Sequence, residues 1–315
     1  MPCFNFQIPQ DFAQSLRLDK YVSENLENMN RSKLKTGISE LQINGKPAKL
    51  SSKVKSGDKV SFNWQDNIPE NIEGEEIPLN IIFEDANVTV VNKKQGMVTH
   101  PAAGNWTGTL VNALLFHWNK KSVCTENSFR TGIVHRLDKD TSGIIITAKN
   151  RATEEFLQEQ FQKRKVQKEY IAIVCGKPHH RGGIIATQII RDPGNRKRFK
   201  AVSQTSEGKF AKTIYHCIAC YGNYSLMRFR LKTGRTHQIR VHAKFLGCPL
   251  LGDPIYNGKK DKLFPNATLM LHSRLLKIRI PEKTQPVTFK AKVPERFKNV
   301  LEILHKTFPK EIITK

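Results

Sequence analysis

Val134-His-Arg-Leu-Asp-Lys-Asp-Thr-Ser-Gly143 lies between two apolar stretches, Gly132-Ile-Val-His135 before it and Gly143-Ile-Ile-Ile-Thr147 after it. Both are short, β-branched and bounded by turn formers, which predicts strands. Three readings of the polar segment compete. Asp, Ser, Thr and Gly are common turn residues, so a polar hairpin is the plain structural reading. Asp138, Asp140, Ser142 and Gly143 also match positions 1, 3, 5 and 6 of a calcium-binding EF-hand loop. That loop needs a bidentate Glu at position 12, where Lys149 stands, and calcium is excluded. The third reading is a carboxylate, Asp138, presented at a strand end beside His135 and Arg136.

A second dense segment is Leu231-Lys-Thr-Gly-Arg-Thr-His-Gln-Ile-Arg-Val-His242. A strand ending at Lys232 would pass through Thr233-Gly234 into a helix over about 235–246, closed by Gly247 and then Pro249. Arg235, Thr236 and His237 then fall in its first turn. Cations are unfavourable at a helix N-terminus, so Arg235 there points to a nearby anion, either a carboxylate or an RNA phosphate. His237 and His242 invite a metal reading, but their spacing splays them on a helix and no acidic ligand lies between.

Further strands are expected at 81–83, 88–91, 169–174, 183–190, 213–219, 224–231, 268–279 and 286–292, with helices at about 151–164, capped by Asn150, and 295–307. This alternation predicts an α+β domain built on a large, mixed but mainly antiparallel sheet over residues 79–294, followed by a C-terminal helix and tail over 295–315. Residues 14–62 form a separate small unit with two helices, an Asn44-Gly45 turn and a Ser56-Gly-Asp-Lys-Val60 turn into a strand. Residues 1–13 read as an N-terminal extension. Residues 63–78 carry Asp66, Glu70, Glu73, Glu75 and Glu76 without Lys or Arg, which reads as an acidic linker.

The chain of 315 residues holds 52 Lys and Arg against 28 Asp and Glu, a formal net charge of +24. Such an excess suits a polyanionic partner, most often nucleic acid, although Lys outnumbers Arg 35 to 17 and a lysine-rich background produces the same sign. The six cysteines are too scattered for a disulfide framework. Cys217 and Cys220 form a lone C-x-x-C within an expected strand, where positions three apart face opposite sides, so buried structural thiols are preferred over zinc. No basic start joined to an apolar run, and no apolar run of about 18 residues, is present, which predicts a cytosolic protein with no membrane partner.

His135-Arg-Leu-Asp-Lys-Asp-Thr-Ser-Gly143 resembles the H-R-L-D-x-x-T-S-G motif of the RluA family of pseudouridine synthases, and Gly234-Arg-Thr-His-Gln-Ile-Arg-Val-His242 resembles that family's second hallmark. The likeness continues through His100-Pro101, Gly108-Thr-Leu-Val-Asn-Ala-Leu114, Lys168-Glu-Tyr170, Gly252-Asp-Pro-Ile-Tyr256 and Leu271-His272, covering nearly all of 79–292. Asn92-Lys-Lys-Gln-Gly96 departs from the usual N-K-P-x-G, and Leu271-His-Ser273 from L-H-A; both bear on local loop shape. The 14–62 unit resembles an S4 RNA-binding domain through Arg17-Leu-Asp-Lys20, Asn30-Arg-Ser-Lys33, Ile43-Asn-Gly45 and Ser56-Gly-Asp-Lys-Val60.

The resemblance implies the pseudouridine synthase fold and the conversion of specific uridines in RNA to pseudouridine, with neither metal nor cofactor. It makes Asp138 the catalytic carboxylate, as nucleophile or base, with Arg235 as its ion-pair partner and Tyr170 stacking on the target base. Arg136 would fill the space left by the extruded uridine. His135, Thr141 and His237 would line the substrate. Arg196-Lys197-Arg198 form either a phosphate-contacting hairpin or a solvated loop. Arg17, Arg31 and Lys33 are the RNA-binding candidates of the small unit. S4-bearing members lean toward large-subunit ribosomal RNA; the alternatives are transfer RNA or a non-catalytic ribosome-assembly factor. A monomer is expected. No Gly-rich strand-to-helix loop supports a methyltransferase reading.

Overall fold

The computed structural model describes residues 3–26, 29, 31–65, 71–102, 104–120, 122–124, 131–195, 197–203, 207–258 and 261–311. It divides into two units, Met1–Glu70 and Asn71–Lys315. In the first, strands β1 (Cys3–Gln7) and β2 (Leu16–Arg17) precede helices α1 (Leu18–Asn25) and α2 (Arg31–Gly37). Strands β3 (Ile38–Ile43), β4 (Lys46–Pro47), β5 (Lys53–Val54) and β6 (Lys59–Trp64) complete it. Asn44 and Gly45 both take positive φ, 54° and 73°, and set Ile43 opposite Lys46, the geometry a two-residue Asn-Gly turn favours. Ile8, Leu18, Val22, Leu34, Val60 and Phe62 form the core. The expected extension over 1–13 is corrected at β1, which pairs antiparallel with β6 over its whole length because Phe4 and Phe6 have an apolar face to cover.

The second unit begins with β7 (Asn71–Glu73), which pairs with β10 (Ser122–Cys124), so part of the acidic stretch expected to be linker is a strand. Next come β8 (Ile81–Glu84), β9 (Val88–Lys93) and α3 (Leu110–His117), a helix the sequence reading did not assign. Thr109 and Asn112 cap it reciprocally. Then follow β11 (Ser142–Ala148), α4 (Arg151–Gln162), β12 (Gln167–Cys175), β13 (Gly182–Arg191), β14 (Phe199–Val202), β15 (Lys209–Tyr221) and β16 (Tyr224–Leu231). The unit ends with α5 (Gln238–Phe245), β17 (Leu271–Ile278), β18 (Val287–Lys290), α6 (Glu295–Thr307) and β19 (Lys310–Glu311). Gly132–His135 is not a strand; Ile133 makes a single bridge to Thr147.

The main sheet runs β14-β13-β15-β16-β12-β17-β11-β9-β8, with β18 beside β17 and β19 beside β15. Its ladders are antiparallel except β11 with β17, which pair Ser142 with His272 and Gly143 with Ser273. That crossing is tight. Gly143 has φ 114°, and a Cβ there would stand 2.2 Å from the Ser273 carbonyl oxygen, so glycine alone fits.

Helices cover both faces of the central strands, which explains their near-continuous apolar runs. Along β12, Tyr170, Ala172 and Val174 pack with Ile239 and Ala243 of α5, while Ile171 and Ile173 pack with Phe297, Val300 and Leu304 of α6. Along β11, Ile144 and Ile146 face Leu157 of α4, and Ile145 faces Leu110 and Leu114 of α3. Each such aliphatic chain, fully buried, contributes about 1.5–3 kcal/mol.

Candidate active site

Asp138 stands on the short loop leading into β11, and the backbone carbonyls of Leu137 to Asp140 are all held. Thr99 Oγ1 donates to Leu137 O at 2.9 Å, and Thr141 N to Asp138 O at 3.0 Å. Gly96 N donates to Lys139 O at 2.9 Å, and Gln95 Nε2 to Asp140 O at 3.0 Å. Lys93, buried at the end of β9, adds its ammonium to the carbonyls of Lys139 (3.2 Å), Lys94 (3.0 Å) and Met97 (2.8 Å). Burial pulls its pKa down to about 8, against the nearby charges of Asp138 and Asp140, which act to raise it. The Asn92–Gly96 segment is therefore a clamp on the Asp138 loop. Leu137 anchors the same loop in the core.

The facing wall is built by residues 232–240. The helix expected from 235 begins instead at Gln238, because His237 adopts a left-handed conformation, φ 55°, at the N-cap. That delay turns Arg240, not Arg235, toward Asp138: its Nη1 lies 3.9 Å from Asp138 Oδ2. The expected Arg235–Asp138 ion pair is thereby corrected; the Arg235 side chain donates through Nε to Phe210 O at 3.0 Å. Arg240 is held by a buried two-point pair with Asp253, Nε to Oδ2 at 2.8 Å and Nη2 to Oδ1 at 2.7 Å. Burial opposes the guanidinium charge, but the Asp253 hydrogen bonds and charge outweigh it and raise the pKa of Arg240. Asp253 Oδ1 also accepts from the backbone of Ile255 and Tyr256.

His237 Nε2 lies 3.9 Å from the same Asp138 oxygen, and its Nδ1 is 2.9 Å from the Tyr256 hydroxyl. Burial chiefly lowers its pKa, with Asp138 acting the other way. Tyr256 Oη already accepts from Phe199 N, so its proton is free for Nδ1 of the neutral ring, which leaves Nε2–H directed toward Asp138.

Between the walls is a cavity of about 450 Å³. Among the described residues lining it, Asp138 is the one carboxylate, against Arg136, Arg164, Lys168, Lys232, Arg235 and Arg240. Tyr170 lines the same cavity; burial pushes its phenol up to about 12, and it shares a hydrogen bond with Ser273, so it stays neutral. His135 stacks on Phe161 with ring centroids 4.7 Å apart, and its Nε2 accepts from Ile146 N. Burial, helped by Lys168, pushes His135 down to about 3, so it is a neutral wall. Arg136 is exposed at the mouth, and Thr141 is buried in the turn after Asp138.

The remaining expected site residues lie apart. Lys197 and Arg198 sit in the turn between β13 and β14, where Lys197 N and Arg198 N bond to Asn195; Arg196 lies outside the described residues. In the small unit Arg17 and Arg31 both grip buried Asp19, at 3.0 Å and 2.6 Å, and hold its carboxyl down at about 2. Both stay about half exposed, and the Lys33 side chain lies outside those described. Among the described residues no group of three His, Cys, Asp or Glu could hold a metal ion. Cys217 and Cys220 do not face opposite sides: a bulge between Cys217 and Ala219 turns both sulfurs inward, 3.5 Å apart.

A model of the RNA pseudouridylate synthase family matches residues 87–245, which contain the Asp138 loop, Tyr170 and Arg240. An uncharacterized RNA pseudouridine synthase of Chlorobaculum parvum is 42% identical, the match covering 91% of this chain and 93% of the relative. A ribosomal large subunit pseudouridine synthase D of Borreliella burgdorferi is also 42% identical, over 93% of this chain and 91% of the relative. Among solved structures, human RNA pseudouridylate synthase domain containing 4 superposes with a TM-score of 0.57 at 26% identity, over 74% of this chain and 94% of that one.

Proposed function

This chain belongs to the RNA pseudouridine synthase family, and on that premise we propose that Asp138 is its catalytic carboxylate and large-subunit ribosomal RNA its substrate. The reaction breaks the uracil N1–C1′ bond, turns the base and joins C5 to C1′, with a proton lost from C5 and one gained at N1. Substrate and product are isomers, so no second substrate is consumed. Asp138 acts at the ribose, as nucleophile on carbon or as base, and both roles begin from an ionised carboxylate. Arg240 and His237 face that charge on one side. Tyr170 offers a flat, neutral ring on which a freed base can turn, stacking worth about 1–3 kcal/mol. Arg136 occupies the mouth through which the uridine leaves its helix, an extrusion costing a few kcal/mol.

The observation that carries the reading is one carboxylate placed in a cavity otherwise charged by cations. Such a cavity attracts a phosphate backbone and leaves Asp138 as its single described carboxylate for chemistry at the ribose. Residues 14–62 act as an S4-like RNA-binding head, supported by their local excess of positive charge and by the half-exposed Arg17 and Arg31. Ribosomal RNA is preferred over transfer RNA because of that head and of the relative named for the large subunit. A cytosolic monomer suits this work; no helix among the described residues is long and apolar enough to cross a membrane. The test is chemical mapping of pseudouridine in RNA from cells with and without the gene. Loss of one or more sites in large-subunit ribosomal RNA is expected; loss confined to transfer RNA would overturn the substrate assignment.

A further inference from the structure

Lys168 stands two residues before Tyr170 on β12, and both side chains line the catalytic cavity. Its ammonium is mostly buried, and burial lowers its pKa. Other buried cations of this unit have partners: Lys93 holds three carbonyls, Arg240 holds Asp253, and Arg296 reaches Ser142 Oγ and Leu271 O. Among the described residues Lys168 has no carboxylate within 4 Å; its ammonium lies over the Phe161 ring at 5.6 Å and faces the cavity. A Cβ built on Gly234 would come within 3.3 Å of its Nζ, so the ammonium reaches across to the facing wall. Glu169, next in sequence, pairs with Arg228 and Arg230 instead.

An ammonium largely withdrawn from bulk water, facing a cavity and paired with no carboxylate, is poised for an anion. The uridine that the proposed function places here has a neutral base, so its full negative charge is on phosphate. Two residues along a strand span roughly 6.6 Å, which is of the order of the reach from a base stacked on Tyr170 to the phosphate of the same nucleotide. We propose that Lys168 is the seat of the target uridine's own 5′-phosphate, engaged once the nucleotide has been extruded into the cavity. This rests on the reading that the cavity takes an extruded uridine. Gly234 is part of the seat because it leaves room for the phosphate oxygen and the ammonium to meet.

The test pairs a change in the protein with a change in the RNA. A stem-loop carrying the mapped uridine is made with an uncharged methylphosphonate at the linkage 5′ of that uridine, with 2′-deoxyribose at the preceding nucleotide. The same 2′-deoxy RNA with an ordinary phosphodiester is the control. Single-turnover rates at saturating enzyme, and affinities, are measured for the wild type, Lys168→Met and Lys168→Arg. Lys168→Met is expected to lower rate over affinity constant roughly 10- to 100-fold on the control RNA, the loss expected for a charge-assisted hydrogen bond. The methylphosphonate is expected to cost the wild type a similar factor and Lys168→Met almost nothing more. Lys168→Arg should keep most of the effect of the phosphate charge. Independent, multiplying losses would overturn the seat. So would a methylphosphonate that leaves the wild type unaffected, a result that stands even where Lys168→Met folds poorly. No turnover of the control RNA by the wild type would instead overturn the functional reading beneath it.

Discussion

Replacing Arg240 and Arg235 in turn separates two arginines that lie five positions apart in one motif. At 3.9 Å, Arg240 Nη1 and the Asp138 carboxylate attract by about 4 kcal/mol at an effective dielectric of about 20. Asp138 keeps 23% of its side chain exposed, so water removes part of this. About 2–3 kcal/mol remains, which is roughly 30- to 150-fold in rate. Arg240→Lys is the informative change. It keeps a cation beside Asp253 and so avoids an uncompensated buried carboxylate, which costs about 3–5 kcal/mol. A lysine cannot make the two-point contact with Asp253 and also present a nitrogen to Asp138. Arg235→Met is the comparison, because its guanidinium bonds the Phe210 carbonyl and lies beyond ion-pair distance of Asp138. The assay is single-turnover pseudouridine formation at saturating RNA, with melting temperatures for both variants. Arg240→Lys should lose about 30- to 150-fold, and Arg235→Met less than about 3-fold in this rate, with its loss in RNA affinity instead. An abolished rate in Arg235→Met beside a normal one in Arg240→Lys would refute the reasoning.

Lys93 gives a pH prediction whose sign can be worked out. Its folded pKa of about 8 lies below the unfolded value of about 10.4, so between these the unfolded chain binds the extra proton and this group makes stability rise with pH. The clamp on the Asp138 loop, however, loses its charge above pH 8. The turnover rate should therefore fall above about pH 8 without a parallel loss of melting temperature from this group, and Lys93→Met should be slow and lack that limb; an unchanged alkaline limb in Lys93→Met would contradict the clamp. Gly143→Ala would force a left-handed φ and a 2.2 Å contact on Ser273 O, and should destabilise by about 3 kcal/mol or more, read by chemical denaturation. Deleting residues 1–70 should weaken binding of a long ribosomal RNA fragment and flatten its salt dependence by roughly 0.7–0.9 in log–log slope per lost phosphate contact, leaving a measurable single-turnover rate on a short stem-loop. An unchanged slope would show that the head does not bind RNA.

Much of this was legible in the sequence, and the misses have physical causes. The Asn44-Gly45 turn and the strand after the Asp138 loop announce themselves because turn chemistry and strand periodicity are local, whereas Asp138 and Tyr170 stood out only through the family motifs that contain them. Arg240 was hidden because its orientation depends on the φ of His237, which no propensity indicates for a histidine ahead of a helix. Asp253 offered the missing signal: an acid within Leu250-Leu-Gly-Asp-Pro-Ile-Tyr256, surrounded by apolar residues, requires a buried cation, and Arg240 is 13 residues away. Lys93 carried a similar signal, a lysine ending the Val88-Thr-Val-Val-Asn strand, but the partner that ties it to the site, the Lys139 carbonyl, is 46 residues on. The bulge at Cys217–Ala219 reversed the facing of two cysteines because alternation fails where one strand carries an extra residue. The extension over 1–13 was misread at β1 because the pairing partner, β6, is about 55 residues distant in the chain.

Asp138 is the residue on which the proposed activity rests, and the deciding measurement is pseudouridine formation by Asp138→Asn. The amide is nearly isosteric with the carboxylate, so the melting temperature and RNA affinity should stay close to wild type. Nucleophile and base are both lost, so a large excess of enzyme incubated with the mapped RNA should yield no detectable pseudouridine. Appreciable turnover by a folded, RNA-binding Asp138→Asn protein would contradict the assignment of the catalytic carboxylate.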